Sequence, residues 1–505
     1  MQFSQPTWDF YPDYMDWIAR RQYVAQSGIP KMDLAFYLKQ DSYRSVENQY
    51  EPLDLQTAGF SYEYLSPDNF HLADAVVYDG VLAPERQAFK ALILRANDTL
   101  TVAGTEKIVQ WANEGLPIIV SGGLPQNLTG YDTGNGTAYV RTALAGIVDL
   151  DNVHIVPYDN LAASLMALGF TPRTGVSAES IWYTYWREDA DQSIVWTYVY
   201  NDGWNYELGE GGSTGSVTFE TTGVPYLYDA WTGASEKMYA YQQTETSTII
   251  PLTLAGNQSV IIGFHCNEST PVQLRIPSVP QEVYSISESQ DDNNILNIKA
   301  GNTTDPMVLP NGTTINLPTP PAPTTLTNWT LTVESWTPHA DLFANQTSSL
   351  ETNSTHHLTD LKPWNKISDS LRNVSGRGYY HTTFSWPPTS SSSQNNSTAA
   401  AAANGALLDL GALNNAARAW VNGNPLPPLD PTSARADIGE YLVEGMNEVV
   451  IVIGTTLGNV LRPIYQDVIS SGTRWLGPQP EEMGYGLVRE VRVVPYVGVE
   501  VGVGG

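Results

Sequence analysis

Residues 405–461 read GALLDLGALNNAARAWVNGNPLPPLDPTSARADIGEYLVEGMNEVVIVIGTTLGNVL, and their alternation of short strands and tight turns decides the fold class. Residues 406–410 form a short, mostly apolar run closed by Gly411. In 417–421, Ala417, Ala419 and Val421 alternate with Arg418 and Trp420, the period of a strand with one face buried. Asn422-Gly423 follows, a dipeptide that accepts positive φ at a hairpin turn. After a proline-rich loop, Glu444-Gly445-Met446-Asn447 leads into 449–453, an unbroken β-branched run suited to a strand buried between two sheets.

Working outward, further strands are expected at 331–336, 379–386 and 488–496, which makes 329–505 one all-β module. Its insert at 387–404, with serine and alanine tracts, is expected to be a disordered glycosylated loop. Upstream, 173–270 carries strand patterns at 181–186, 194–200, 216–221, 226–229, 247–252 and 259–264, spaced for an antiparallel β-sandwich. Residues 271–328 read as a linker and irregular β segment, extended through Pro318 to Pro323. Within 31–172, strands at 32–38, 89–95, 116–121 and 153–156 alternate with helices at 102–114 and around Leu161, Leu165 and Leu168, so a parallel α/β sheet is expected. In 1–30, Met15, Ile18, Ala19, Tyr23 and Val24 lie at helical spacing and Gly28-Ile29-Pro30 ends the helix. A single helix of that length is marginal in water and needs a partner for its apolar face. The expected fold class is thus multidomain α/β plus all-β.

Composition narrows the function. Of 505 residues, 25 are basic and 53 acidic, a formal charge of −28 that repels phosphate backbones and anionic membranes. Nucleic-acid and membrane partners are therefore not expected, and no window approaches the roughly 18 apolar residues of a span. Cys266 is the one cysteine, which rules out an intrachain disulfide framework and a thiolate metal cluster. Asn-X-Ser/Thr sequons begin at Asn97, Asn127, Asn135, Asn257, Asn267, Asn302, Asn311, Asn328, Asn345, Asn353, Asn373, Asn395 and Asn396. These are 13 of 32 asparagines, where 83 Ser and Thr in 505 residues give about five by chance, so an extracellular glycoprotein is expected. The opening MQFSQPTWDFYPDYMDWIARRQY has no signal-peptide pattern. Either an upstream segment carried the export signal or the sequon excess is compositional.

Chemistry-bearing motifs are sparse. Ser121-Gly122-Gly123 follows a strand, but Val120 stands before the serine and the Gly-X-Ser-X-Gly elbow is incomplete; a strand-end turn is the stronger reading. His356-His357 near Asp360 point to opposite sides of an extended chain, without zinc spacing. No metal and no cofactor are expected. The acidic groups Glu188-Asp189-Asp191, Asp291-Asp292 and Glu481-Glu482 sit in polar, loop-like surroundings and read as solvated charge. Glycoside hydrolysis needs two carboxyl groups flanking the bond, usually on a barrel of about 250 residues, and only 30 residues precede the first α/β strand. No catalytic residue is nominated. Trp420 faces away from Ala419 and Val421 and is the candidate for stacking on a sugar ring, although packing under a covering loop is the stronger reading.

The passage at 405–461, with DLKPWNKISDSLRNVSGRGYYHTTF at 360–384, resembles the galactose-binding-like jelly roll of family 2 type glycoside hydrolases. ALILRANDTLTVAGTEKIVQWANEGLPIIVSGGLP at 91–125 resembles the flavodoxin-type, glutamine-amidotransferase-like domain found beside the barrel in several glycoside hydrolases. With WIARRQYVAQSGIPKMDLAFYL, GVPYLYDAWTG and TIIPLTLAGNQSVIIGF in order, the chain resembles the C-terminal half of fungal secreted proteins similar to family 106 α-L-rhamnosidases. That resemblance implies that residues 1–30 end a catalytic barrel that lies outside this chain and holds the acid and base. It implies an accessory role on plant cell-wall polysaccharide. A free-standing carbohydrate-binding glycoprotein and a purely structural one are the alternatives.

Overall fold

The structure, a computed structural model, describes residues 5–38, 53–132, 134–203, 210–290, 295–337, 350–388, 401–466, 478–479 and 481–503. The sequons at Asn345, Asn395 and Asn396, the Asp291-Asp292 pair and most of the 387–404 insert lie outside them.

Five strands form a wholly parallel sheet in the order Tyr62–Leu65, Leu34–Tyr37, Ala91–Arg95, Ile118–Ser121, Val153–Val156. Leu34–Tyr37, Ala91–Arg95 and Ile118–Ser121 are buried at every position, which suits a parallel sheet covered on both faces. Helices α2 (Leu53–Ala58) and α5 (Leu161–Ala167) close one face through Leu55, Leu161 and Leu165. Helices α3 (Val102–Asn113) and α4 (Gly136–Ala145) close the other through Ile108, Trp111, Val140 and Leu144. Thr101 caps α3 by accepting from the Gly104 amide at 2.9 Å. The edge strand Tyr62–Leu65 and helix α4 had no counterpart in the sequence reading; the strand's half-exposed YEYL gives only a weak alternation.

An antiparallel sandwich follows. One sheet runs Ile29–Lys31, Trp182–Asp189, Ile194–Asn201, Ser259–His265, Val224–Tyr228, Ser235–Lys237; the other runs Thr174–Ala178, Ser213–Phe219, Thr248–Leu254, Gln242–Gln243. Trp182, Val199, Ile262 and Phe264 of the first pack on Val217, Phe219 and Ile250 of the second. The first strand of this sandwich, Ile29–Lys31, is therefore drawn from before the α/β domain.

A second sandwich has six strands in each sheet. In one, Leu350–Leu358, Trp329–Thr337, Gly376–Trp386, Gly445–Gly454, Ala416–Val421 and Asn424–Pro425 lie side by side. In the other, Val283–Glu288, Ile295–Ala300, Arg492–Gly502, Gly405–Gly411 and Ala434–Asp437 are joined by Thr324–Thr325. Trp329, Leu331, Val333, Val449 and Ile451 meet Ala406, Leu408, Ala436 and Val493 in the core. The stretch 271–328, expected as a linker and irregular β segment, carries five short strands among its described residues, two of which belong to the second sandwich as a hairpin. Its hairpin pairs with the far half of Arg492–Gly502, and Leu296, Ile298 and Val501 share a buried cluster with Ile276 and Met307. The second sheet is stapled across its strands by Asp409, whose nearly buried carboxylate meets Arg492 at 3.0 Å and Arg435 at 3.2 Å.

Burial holds three phenols of these sandwiches in the neutral form: Tyr185, Tyr226 and Tyr380 are each pushed up to about 12, and Glu268 adds to the effect at Tyr226. A raised folded-state pKa gives stability that is complete below the unfolded value near 10 and is lost as pH climbs through 12. Circular dichroism and phenolate absorbance followed together should therefore show sheet loss and late tyrosine ionisation in the same window, between about pH 10 and 12. Ionisation of all tyrosines near pH 10 with the sheets intact would contradict this.

Candidate functional site

The N-terminal helix α1, Tyr11–Gln26, lines two neighbouring concavities against the sandwiches. Its expected apolar face is covered only in part: Met15 is 44% and Tyr23 57% exposed, and Ala19 is exposed, while Ile18 is half-buried and Val24 is buried against Ile194, Trp196 and Ile261. Beside it runs an aromatic ladder at spacing three, in which Tyr14 remains 44% exposed. Trp8 stacks on Tyr11 (5.8 Å between centroids), Tyr11 meets Tyr14 edge-on (6.0 Å), Tyr14 stacks on Trp17 (5.6 Å), and Trp17 stacks on Trp231 of the first sandwich (5.2 Å). Residues three apart lie along one ridge of a helix, so a ladder at this period forms a continuous wall.

Charged groups fix the helix to both sandwiches. Arg20 donates to the carbonyls of Ala230 (2.9 Å) and Trp231 (2.7 Å). Arg21 lies 4.3 Å over the Trp17 ring, 4.8 Å over the Tyr198 ring, and donates to the Tyr198 hydroxyl. Asp13 accepts two hydrogen bonds from Arg418 of the second sandwich, at 2.9 and 3.1 Å, and Asp9 accepts from Arg377 at 2.6 Å. Phe10 seats on Gly454, where a Cβ would come within 2.6 Å of its ring. Part of the cover that the lone helix required is thus found within this chain.

Between α1 and the sandwiches runs a groove in two connected parts that share Tyr14, Trp231 and Pro431. One part, of about 370 Å³, is bounded by Phe10, Tyr11, Asp13, Asn414, Asn415 and Thr456. The other, of about 530 Å³, is bounded by Trp17, Arg21, Tyr198, Tyr200, Asn257 and Asp430. Flat aromatic faces with a few amide, hydroxyl and charged groups have the chemistry suited to an amphipathic ring-shaped ligand. Acid–base chemistry is another matter. Asp13 is engaged by Arg418, and Asp430 accepts from Thr432 N (2.9 Å), Thr432 Oγ1 (2.7 Å) and Gln258 Nε2 (3.0 Å). Both carboxylates of the groove are thus engaged by neighbouring donors.

Trp420 is half-buried and shares the outer face of its strand with Ala416 and Arg418, opposite the core residues Ala419 and Val421. That face is where the start of α1 docks through Asp13 and Phe10, yet Trp420 pairs across to Pro425 and Val450 and is not a wall of the groove. The groove aromatics Tyr11, Tyr14, Trp17, Tyr198 and Trp231 had not been singled out from sequence. Ser121 is buried at the end of its strand, consistent with a turn. His356 and His357 turn apart, to Ser354 Oγ (3.1 Å) and Thr330 Oγ1 (3.3 Å).

In open α/β sheets, ligands favour the carboxyl ends of the strands where the order reverses, here between Leu34–Tyr37 and Ala91–Arg95. Arg95 and Asp98 occupy that point as a buried pair, bonded at 3.0 and 2.7 Å. Burial pushes the Asp98 carboxyl up although Arg95 pulls it down.

No family model matches the chain, and no curated protein matches it. Among solved structures, it is similar to a rhamnosidase from Novosphingobium sp. PP1Y, with a TM-score of 0.62 and 18% identity over 97% of this chain. The chain spans 41% of that enzyme. An exo-carrageenase of family GH42 from Bacteroides ovatus matches 47% of this chain and 29% of its own at 9% identity, with a TM-score of 0.26. An alpha-L-fucosidase isoenzyme 2 from Paenibacillus thiaminolyticus matches 50% of this chain and 51% of its own at 8% identity, with a TM-score of 0.30. At the last two scores no common fold is shown. The first shows that nearly the whole chain has the fold of a segment of a much longer glycoside hydrolase.

Proposed function

We propose that the chain is the accessory, non-catalytic C-terminal part of a secreted, α-L-rhamnosidase-like glycoside hydrolase that acts on plant cell-wall polysaccharide. The observation that carries this reading is the fold match over 97% of the chain to 41% of a rhamnosidase. In this reading the second sandwich is a galactose-binding-like jelly roll and the parallel domain is amidotransferase-like. A preceding barrel covers the outer face of α1, where Met15, Ala19 and Tyr23 stand exposed. Secretion is supported by the sequons: all ten described acceptor asparagines are exposed, whereas Asn201, Asn415, Asn447 and Asn459, outside any sequon, are buried. The test compares the chain alone with the chain joined to a barrel encoded upstream. Rhamnose release from pectic side chains is expected only from the joined protein, and release by the chain alone would overturn the proposal.

The aromatic groove favours a second reading, a free-standing carbohydrate-binding glycoprotein. Oligosaccharide arrays distinguish the two, since that reading expects retention of plant oligosaccharides without hydrolysis and without a barrel.

A further inference from the structure

The larger part of the groove has a ligand candidate attached to its own rim. Asn257 and Ser259, two members of the sequon Asn257-Gln258-Ser259, both line it, alongside Trp17, Tyr198, Tyr200 and Trp231. Asn257 is exposed, sits in the left-handed region at φ 64°, and lies in the turn joining Thr248–Leu254 to Ser259–His265. Its Oδ1 accepts a hydrogen bond from the Tyr200 hydroxyl at 2.9 Å, while Nδ2, the atom that carries an N-linked glycan, donates none among the described residues. The Tyr200 bond fixes the plane of the carboxamide and with it the direction in which a sugar on Nδ2 departs. A volume of about 530 Å³ falls within the roughly 300–1,000 Å³ of sites that bury a small ligand.

We propose that Asn257 carries an N-linked glycan whose inner N-acetylglucosamine residues fold back into this groove as a built-in ligand. Attachment forms the bond from Nδ2 to the anomeric carbon of an oligosaccharide delivered by a lipid-pyrophosphate donor; the lipid pyrophosphate leaves and Nδ2 loses one proton. The apolar faces of the pyranose rings then lie on Tyr200 and Trp231, and the N-acetyl and hydroxyl groups face Asp430 and Arg21. Asn257 thereby differs from acceptors such as Asn97 and Asn311, which line neither part of the groove. The glycan braces α1 against both sandwiches and closes half of the groove to outside saccharide. This inference rests on the secretory part of the reading above, not on the rhamnosidase part.

The test is production in a glycosylating eukaryotic host, site-by-site glycopeptide mass spectrometry, and endoglycosidase digestion of native and denatured protein. Asn257 is expected to be occupied. Its glycan should be released at least about ten-fold more slowly than that at Asn311 in the native protein, and at the same rate after denaturation. Trp231→Ala should erase the difference without changing occupancy, and Asn257→Gln should lower the melting temperature of glycosylated protein but not of protein made in bacteria. Release as fast as at Asn311, or an empty Asn257 with Asn97 and Asn311 occupied, would overturn the inference alone. Empty sequons throughout would overturn it together with secretion.

Discussion

Asp33→Ala is expected to lower stability by roughly 3–5 kcal/mol, the usual cost of removing one partner of a buried ion pair. The Asp33 side chain is fully buried and serves four donors. Oδ2 accepts from Ser61 N (3.0 Å) and Ser61 Oγ (2.8 Å), and Oδ1 accepts from Arg173 N (3.1 Å) and Nη1 (3.0 Å). Lys90 stands 3.7 Å away. Because Asp33 precedes the first parallel strand and Arg173 precedes the strand Thr174–Ala178, this single carboxylate seals the α/β domain to the first sandwich. Alanine leaves Arg173 with the carbonyls of Met32 and Ala88 but without its counter-charge. Thermal melting should shift down by roughly 6–20 °C, taking about 2–4 °C per kcal/mol for a unit of 150–250 residues. The double variant Asp33→Leu with Arg173→Met should recover part of the loss, since replacing both partners by apolar groups costs less than orphaning one. A shift below about 1 kcal/mol for the alanine variant would mean that Arg173 finds another partner.

What could be read from the sequence follows the range of the interactions involved. The passage at 405–461 gives three strands in their observed places, Gly405–Gly411, Ala416–Val421 and Gly445–Gly454, with Asn422 and Gly423 at φ 50° and 78° in the expected hairpin. Alternation and turn chemistry are local, and so is the cap that opens α3. The hairpin of Val283–Glu288 and Ile295–Ala300 joins a strand some two hundred residues later, a pairing that no local pattern specifies. Helix α1 misled for a different reason. Hydropathy ranks Met15 and Ala19 above Tyr and Arg, so the stripe that ends in Val24 stands out and the aromatic one does not, yet Trp8, Tyr11, Tyr14 and Trp17 at spacing three were available as the signal. The groove itself could not be read, because Trp17, Trp231 and Pro431 come from three distant segments and meet only in the folded chain.

Trp231→Ala should have the second large effect, this time on binding. Trp231 is the wall common to both halves of the groove and the terminus of the aromatic ladder through Trp17. Its backbone work is separable from its ring: the carbonyl accepts from Arg20 and the amide donates to Asp229 Oδ1 at 2.8 Å, and both survive truncation. Losing the indole removes a stacking face worth about 0.5–1.5 kcal/mol beyond its buried area, and that area contributes as well, so saccharide affinity should fall by at least about ten-fold. The measurement is titration calorimetry with plant oligosaccharides on protein made without glycans, in which the Asn257 side of the groove is open. Asp430→Asn serves as the contrast. It keeps an acceptor for Thr432 while removing the charge and the acceptor for Gln258 Nε2, so a loss as large as that of Trp231→Ala would point to polar or ionic recognition in place of stacking. Unchanged affinity in Trp231→Ala, with α1 still in place, would move saccharide contact away from the groove and return Trp420, on the outer face of its strand, as the residue to test next.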